Sequence, residues 1–273
     1  MKAAVLHLLG ECPAGSPVPV SGGCIHRAHR WGPYFIKSND ISHAPAFRSE
    51  ATGLGAIAAT GAIRTPEVVA TGTADGTAIL ILEHLDLRPS GDESRLGEAM
   101  AALHQTTTSV FGFREDNFIG STPQANPPTA SWGDFFADHR LGRMFDLLGA
   151  RKITFRGSDR FLERVGSLLP ENPPASLLHG DLWSGNRAYL PDGEPVIFDP
   201  ACYHGHAAAD LAMTRLFGGF GQSFYEAYRS NHGDDGEADD LDDIYNLYHI
   251  LNHALLFGGS YISQADAIIQ RFS

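Results

Sequence analysis

The chain is poor in cysteine, in positive charge and in long apolar runs. Its three cysteines, Cys12, Cys24 and Cys202, lie far apart in 273 residues. An odd, scattered set supplies neither a disulfide framework nor a paired CxxC zinc ribbon. A reducing cytoplasm is the expected setting. Lysine and arginine total 20 against 32 acidic residues, a formal charge of −12. Phosphate backbones repel such a chain, and no local basic patch offsets the balance, so no nucleic-acid partner is expected. No run approaches the roughly 18 apolar residues of a membrane span, and no membrane partner is expected. The opening MKAAVLHLLGECPAG has a short apolar run without the basic segment that precedes a secretory signal. The hydrolase elbow G-x-S-x-G and the zinc helix H-E-x-x-H are both missing.

What remains is an ordinary globular composition, 43% hydrophobic and 19% charged. Residues 18–37 read as a β-hairpin, with Gly22–Gly23 between extended segments and Gly32–Pro33 as a turn. A helix is expected over 47–61, from the spacing of Phe47, Leu54, Ile57 and Ala58. PEVVAT and AILILEHL then read as strands around an Ala-Asp-Gly turn. From residue 86 the texture changes. Helices are expected over 94–107, 131–150 (Ser131 as N-cap) and 159–169, and 111–130 reads as a long loop. A short β-rich centre follows, SLLHGD, RAYL and VIFDP, then helices near 207–217, 222–230, 241–257 and 260–271. The expected fold is α+β and two-lobed, with a small antiparallel sheet and one helix over 1–85 and a larger, mainly helical lobe over 86–273. Residues 234–243, DDGEADDLDD, hold seven acids and read as a solvated loop or helix start. Their spacing does not match a calcium loop.

The chemistry concentrates in LLHGDLWSGN, residues 177–186, and VIFDP, 196–200. His179, Asp181 and Asn186 fit the H-x-D-x-x-x-x-N loop of kinase-type phosphotransferases, and Asp199 ends the next apolar strand. Phosphoryl transfer needs one carboxylate facing the attacking hydroxyl. It also needs an amide oxygen and a second carboxylate to hold Mg²⁺ against nucleotide phosphates. Lys37 ends the strand YFIK, where a phosphate-binding lysine belongs, and Glu50 in the following helix is its expected partner. Gly22 and Gly23 would let backbone amides approach phosphate. The backbone of Glu83, His84 and Leu85 would meet the adenine edge of ATP.

These pieces resemble the fructosamine kinase (ketosamine-3-kinase) family, relatives of the aminoglycoside phosphotransferases with a protein-kinase-like fold. The resemblance rests on GGCI (22–25), YFIK (34–37), FRSEATGL (47–54), LILEHL (80–85), LGEAMAALH (96–104) and FFADHRL (135–141). It continues through LLHGDLWSGN, FDPACYHGHAAADLAM (198–213), FGGF (217–220) and SFYEAY (223–228). It implies that ATP phosphorylates the 3-hydroxyl of a ketoamine, a sugar adduct on an amine or lysine, and that the unstable product frees the amine. By the same resemblance Asp181 is the base, Asn186 and Asp199 hold Mg²⁺, Lys37 binds phosphate and Glu50 anchors Lys37. Trp183 would face the sugar, with Tyr203 and His204 in the same pocket.

Several residues carry plainer readings. His179 is expected to pack and hydrogen-bond the loop. Asp210 reads as a helix cap or a brace for that loop. His204-x-His206 lacks further zinc ligands. Cys24, behind two glycines, is a candidate redox thiol able to link two chains. Two alternatives stay open: a kinase for another hydroxyl substrate, such as an aminoglycoside or amino alcohol, and a non-catalytic nucleotide-binding regulator. A protein kinase is disfavoured, because DFG, APE and an activation segment are missing.

Overall fold

The computed structural model describes residues 1–20, 26–233 and 239–273. Gly22, Gly23 and Cys24 lie outside the described residues, as do 234–238 of the acidic run. The structure is a two-lobed α+β fold. The smaller lobe is a five-stranded antiparallel sheet, built from β1 (Val18–Val20), β2 (Arg27–Trp31), β3 (Tyr34–Asp40), β4 (Val68–Ala74) and β5 (Thr77–Glu83). Their order is β1-β2-β3-β5-β4. Asp75 and Gly76 turn β4 into β5 with φ of 48° and 71°. Two successive positive φ values match the right-handed twist of the strands they join, and Asp-Gly is well suited to them.

β5 is a continuous apolar run because both of its faces are covered. Ile79 and Ile81 pack with Ile36 and Trp31 against Ala4 and Val5 of α1 (Lys2–Leu9). Ala78, Leu80 and Leu82 face Phe47 and Leu54 of α2 (Ala44–Ala58). The short apolar N-terminal run is thus a helix lying on the sheet, closed by Gly10 in the left-handed region. β3 follows the same alternation. Ile36 points to α1, and Lys37 therefore points to α2, the face that carries Glu50.

The larger lobe begins with α3 (Glu93–His104), capped by the Asp92 side chain. It packs on α8 (Gln222–His232). After β6 (Thr107–Thr108), the expected long loop contains a small hairpin, β7 (Asn117–Ile119) and β8 (Thr122–Gln124). The helix expected over 131–150 runs without a gap as α4 (Trp132–Phe136), a π-helical stretch over Ala137–Gly142, and α5 (Arg143–Ala150). Ser131 caps α4, accepting from the Asp134 amide at 3.2 Å. α6 (Ser158–Leu168) leads to β9 (Ala175–Leu178), which lies between β6 and β12 (Tyr203–Gly205). β10 (Arg187–Tyr189) and β11 (Pro195–Ile197) form a separate hairpin.

α7 (Ala208–Leu216), α9 (Asp239–Phe257) and α10 (Ser260–Phe272) complete the lobe. Its core gathers Trp132, Phe135, Phe136, Tyr245, Tyr248 and Leu251. A second cluster joins Ile57 of α2 to Leu96, Met100, Leu182, Ile197 and Phe224, and so ties the lobes together. At the start of α9 the described acids are paired: Asp242 with Arg215 at 2.8 Å, and Asp240 and Asp243 with Arg271. No helix among the described residues is long and apolar enough to cross a membrane.

Candidate active site

The loop that follows β9 is held from below by one buried carboxylate. Asp210, in the first turn of α7, accepts from the backbone amides of His179 (2.7 Å) and Gly180 (2.9 Å). His104, at the end of α3, contacts the same carboxylate at 3.2 Å, and its other ring nitrogen meets the Tyr228 hydroxyl at 2.8 Å. Burial favours the neutral acid. The hydrogen bond and charge of His104, with the loop amides, outweigh it and hold Asp210 below the usual carboxylate range. Asp210 is therefore a brace for the loop.

Gly180 has φ of 80°, and a Cβ there would sit 2.1 Å from the Ala201 carbonyl oxygen. Glycine alone allows this backbone-to-backbone approach. The His179 ring completes the support. Its Nε2 lies 3.0 Å from the Phe198 carbonyl, an acceptor, so Nε2 carries the hydrogen. Nδ1 then accepts from the Asp181 amide at 3.3 Å. Burial keeps the imidazole neutral by lowering its pKa. His179 is thus a structural tie between the loop and the Asp199 strand.

The loop turns tightly through Ser184–Asn186, a 3₁₀ turn. Asn186 Nδ2 donates to Asp181 Oδ2 (3.1 Å) and to the Asp181 carbonyl (2.9 Å), which fixes the carboxylate's orientation. Burial pushes the Asp181 carboxyl up to about 7, against the lowering effect of the Asn186 bond. A half-buried carboxylate with that affinity is suited to accepting a proton near neutral pH. With its nitrogen committed to Asp181, the Asn186 amide turns its oxygen the other way. The Asn186 carbonyl accepts from the Phe198 amide at 3.1 Å, which sets Asp199 beside it.

Asp199 stands in the left-handed region, φ 57°, and its side chain is 46% exposed. Such a backbone costs a non-glycine residue on the order of 1 kcal/mol and is concentrated at functional sites. One of its oxygens pairs with Lys37 Nζ, and Glu50 Oε1 takes the other side of Lys37 at 2.7 Å. Burial opposes charge on Lys37, but Glu50 and Asp199 together raise its pKa. Burial likewise acts against the Asp199 charge, and Lys37 overcomes it, leaving the carboxyl below its usual range. Oxygen donors from an amide and a carboxylate are the ligand set of a hard cation such as Mg²⁺. Asn186 and Asp199 fit that requirement.

The remaining expected residues are distributed more widely. Glu83 turns its carboxylate to Arg64 and to the Glu67 amide (3.3 Å), while the His84 amide donates to Pro33 O at 2.8 Å. Only the remaining backbone of 83–85 is left for a nucleotide edge. Trp183 projects from the loop and is among the exposed large apolar residues. Tyr203 and His204 are successive residues of β12 and point to opposite faces. Tyr203 is buried beneath Gly180 under the Arg140 guanidinium, 4.0 Å from its ring. His204 is half-buried beside Phe113. His206 is bonded to the Tyr245 hydroxyl at 2.8 Å.

Two supports were not singled out from the sequence. His104 ends an amphipathic helix, and Arg140 lies inside an apparently regular one; neither position carries a local signal of its three-dimensional partner.

The sequence model of the family described as "Fructosamine kinase" matches residues 10–273. A Synechocystis protein named a probable ketoamine kinase is 45% identical over 260 residues, covering 92% of this chain and 88% of its own. A chloroplastic protein-ribulosamine 3-kinase of Oryza sativa subsp. indica is 40% identical over 270 residues, covering 93% of this chain and 77% of its own. A crystal structure from Haemophilus somnus, assigned as a fructosamine-3-kinase, superposes with a TM-score of 0.90 at 26% identity, covering 99% of this chain and 96% of its own. An aminoglycoside phosphotransferase shares the fold, with a TM-score of 0.66 at 14% identity. A lysine held by two carboxylates, a braced HGD loop and a match over nearly the whole chain lead to one assignment: the chain belongs to the fructosamine kinase family.

Proposed function

We propose that the protein is an ATP-dependent kinase that phosphorylates the 3-hydroxyl of ketoamine adducts such as ribulosamines or fructosamines, in deglycation repair. The observation that carries this reading is the Lys37–Glu50–Asp199 cluster beside Asp181 and Asn186. Asp181 orients the sugar hydroxyl and accepts its proton as the oxygen attacks the γ-phosphorus. The new O–P bond forms while the bond from the γ-phosphorus to the β-phosphate oxygen breaks, and ADP leaves. Lys37, fixed by Glu50, holds the nucleotide phosphates. Asn186 and Asp199 would hold Mg²⁺, which supplies charge neutralisation at the phosphates.

The remaining backbone of residues 83–85 takes the adenine edge, and Gly22 and Gly23, outside the described residues, are the candidates in the sequence for phosphate contact. The lobe boundary lies at 85/86, nucleotide on one side and sugar on the other. Trp183 offers an aromatic face to the sugar, with Tyr203 supporting the loop from within and His204 on the other face of β12. A glycated lysine is as suitable a substrate as a free ketoamine, and a cytoplasmic setting suits both the ATP supply and the few cysteines.

The test is ADP release from ATP and Mg²⁺ with ribulosyl-lysine and fructosyl-lysine, comparing wild type with Asp181→Asn. We expect adduct-dependent turnover that falls by about 10² to 10⁴-fold in the variant, while ATP binding persists. Turnover equal in both proteins removes Asp181 from the role. Wild-type turnover of an aminoglycoside or amino alcohol, but of neither adduct, replaces the substrate.

A further inference from the structure

The outer side of the catalytic loop carries a strip of aromatic rings that begins at Trp183 and continues past the residues assigned to phosphoryl transfer. Trp183 meets Phe217 edge-on, with centroids 6.3 Å apart. Phe217 meets His253 at 5.3 Å, and His253 meets Phe257 at 5.6 Å and Tyr261 at 5.0 Å. These rings come from four segments: the loop, the end of α7, the last turns of α9 and the start of α10. Trp183, Phe217 and Phe257 are 38%, 43% and 63% exposed. Single exposed apolar side chains are ordinary on a protein surface. Exposed rings linked to one another through His253, in a row that starts at the catalytic loop, are a mark of a binding surface.

The strip is also held in place. His253 Nδ1 lies 2.7 Å from the His249 carbonyl one turn back, which fixes the ring's orientation and leaves Nε2 as an acceptor. The turn after Phe217 is locked to the loop. Arg187 donates to the Gly219 carbonyl, and a Cβ on Gly219 would lie 2.6 Å from the Ser184 side chain. Phe217 therefore keeps its position relative to Asp181. Ordered rings on firm supports lose little entropy when they bind.

Length and charge choose the occupant. A ketoamine sugar is satisfied by the first ring, Trp183. Three ring-to-ring steps of 6.3, 5.3 and 5.6 Å lead on from it, a span of at most about five residues of extended chain at roughly 3.3 Å each. The chain is acidic overall, which favours a lysine-bearing peptide over an acidic one. We propose that this strip docks the polypeptide flanking a glycated lysine. Apolar side chains next to the modified residue stack on Phe217, Phe257 and Tyr261, and the enzyme thereby prefers adducts in an apolar sequence context. This inference rests on the ketoamine-kinase reading and adds a substrate preference to it.

The experiment uses three probes: Nα-acetyl-ribulosyl-lysine, and two nine-residue peptides with a central ribulosyl-lysine. One peptide carries Phe and Leu on both sides of the lysine, the other Ser and Gly. The readout is kcat/KM from ADP release. Wild type is expected to favour the apolar peptide over the serine peptide by roughly tenfold, the size of one good aromatic contact. Phe257→Ser is expected to erase most of that ratio, and its high exposure means that the fold survives, as a thermal melt will verify. Leu6→Ser, on α1 and 51% exposed, keeps the ratio. Equal kcat/KM for the two peptides in wild type, or a ratio that survives both Phe217→Ser and Phe257→Ser, overturns the docking surface alone. A wild type that turns over none of the three probes overturns the ketoamine reading, and this inference with it.

Discussion

Three donors converge on Asp210 in the interior: the amides of His179 and Gly180 and the His104 ring. Each buried donor left without an acceptor costs about 1–3 kcal/mol. Asp210→Ala is therefore expected to lower unfolding free energy by about 3 kcal/mol and to depress kcat, because the loop carrying Asp181 loses its anchor. Asp210→Asn, which keeps an acceptor, is expected to lose less. Urea unfolding of the two variants checks this, and equal stability of Asp210→Ala and wild type refutes it. At this scale the sequence was informative where a short motif names the residue. Asp181, Asn186, Asp199, Lys37 and Glu50 were legible from motif spacing and resemblance, and the structure draws them together. His104 was not legible, because a histidine at the end of an amphipathic helix has the same local pattern whether or not a buried acid faces it.

The π-helical stretch over Ala137–Gly142 has its consequence at the level of elements. It widens one turn of an otherwise regular helix, and Arg140 within it is fully buried. The guanidinium donates to the Ala125 carbonyl at 2.8 Å and to Asn126 Oδ1 at 2.7 Å, and lies over Tyr203 and Phe135. The hairpin β7–β8 continues the connection. Gln124 donates to Ala201 O at 3.0 Å and Asn117 to Cys202 O at 2.7 Å, with Tyr248 donating to Gln124 at 2.6 Å. A buried polar network thus grips the chain just beyond Asp199. An ammonium cannot reproduce a planar fork that also stacks on rings. Arg140→Lys is expected to cost about 3 kcal/mol, read as a lower thermal midpoint in calorimetry; a shift below about 1 °C rejects the network as a keystone. Sequence periodicity predicted one helix here and a loop at 111–130. The helix is there, and what periodicity does not show is its π turn and the hairpin inside the loop, because Arg140 reaches across to Ala125 and Asn126 just after β8.

For the molecule as a whole, buried ionisable groups pull the response to acid in opposite directions. His249 on α9 is buried, and its pKa is lowered to about 3, first by burial and then by the charge of His253, with Arg140 adding to the effect and Asp210 opposing it. The unfolded histidine, with a pKa near 6.5, binds a proton across a range where the folded one does not. Stability from this group is therefore complete above pH 6.5 and is lost as pH falls toward about 3. Asp210, held below its usual range, loses its contribution in the same direction. Asp181, pushed up to about 7, acts in the opposite direction over the same range, so the test is a difference between proteins: relative to wild type, His249→Gln is expected to gain in urea midpoint as pH falls from 6.5 to 4. A difference that does not change with pH removes His249 from the acid response.

The sequence alone determined the two-lobed α+β class, the order of most elements and the position of the HGD loop at the end of a buried strand. Those features are local: strand and helix periodicities, Asp-Gly turns and an HGD spacing are each written within a few residues. Tertiary structure decided what depends on distant contacts. Lys37 and Asp199, 162 residues apart, meet only because β3 presents Lys37 toward α2 and the left-handed Asp199 backbone turns its carboxylate back to it. The aromatic strip of Trp183, Phe217, His253 and Phe257 is likewise invisible in the chain, since its rings come from separate segments and share a surface only after the helices pack.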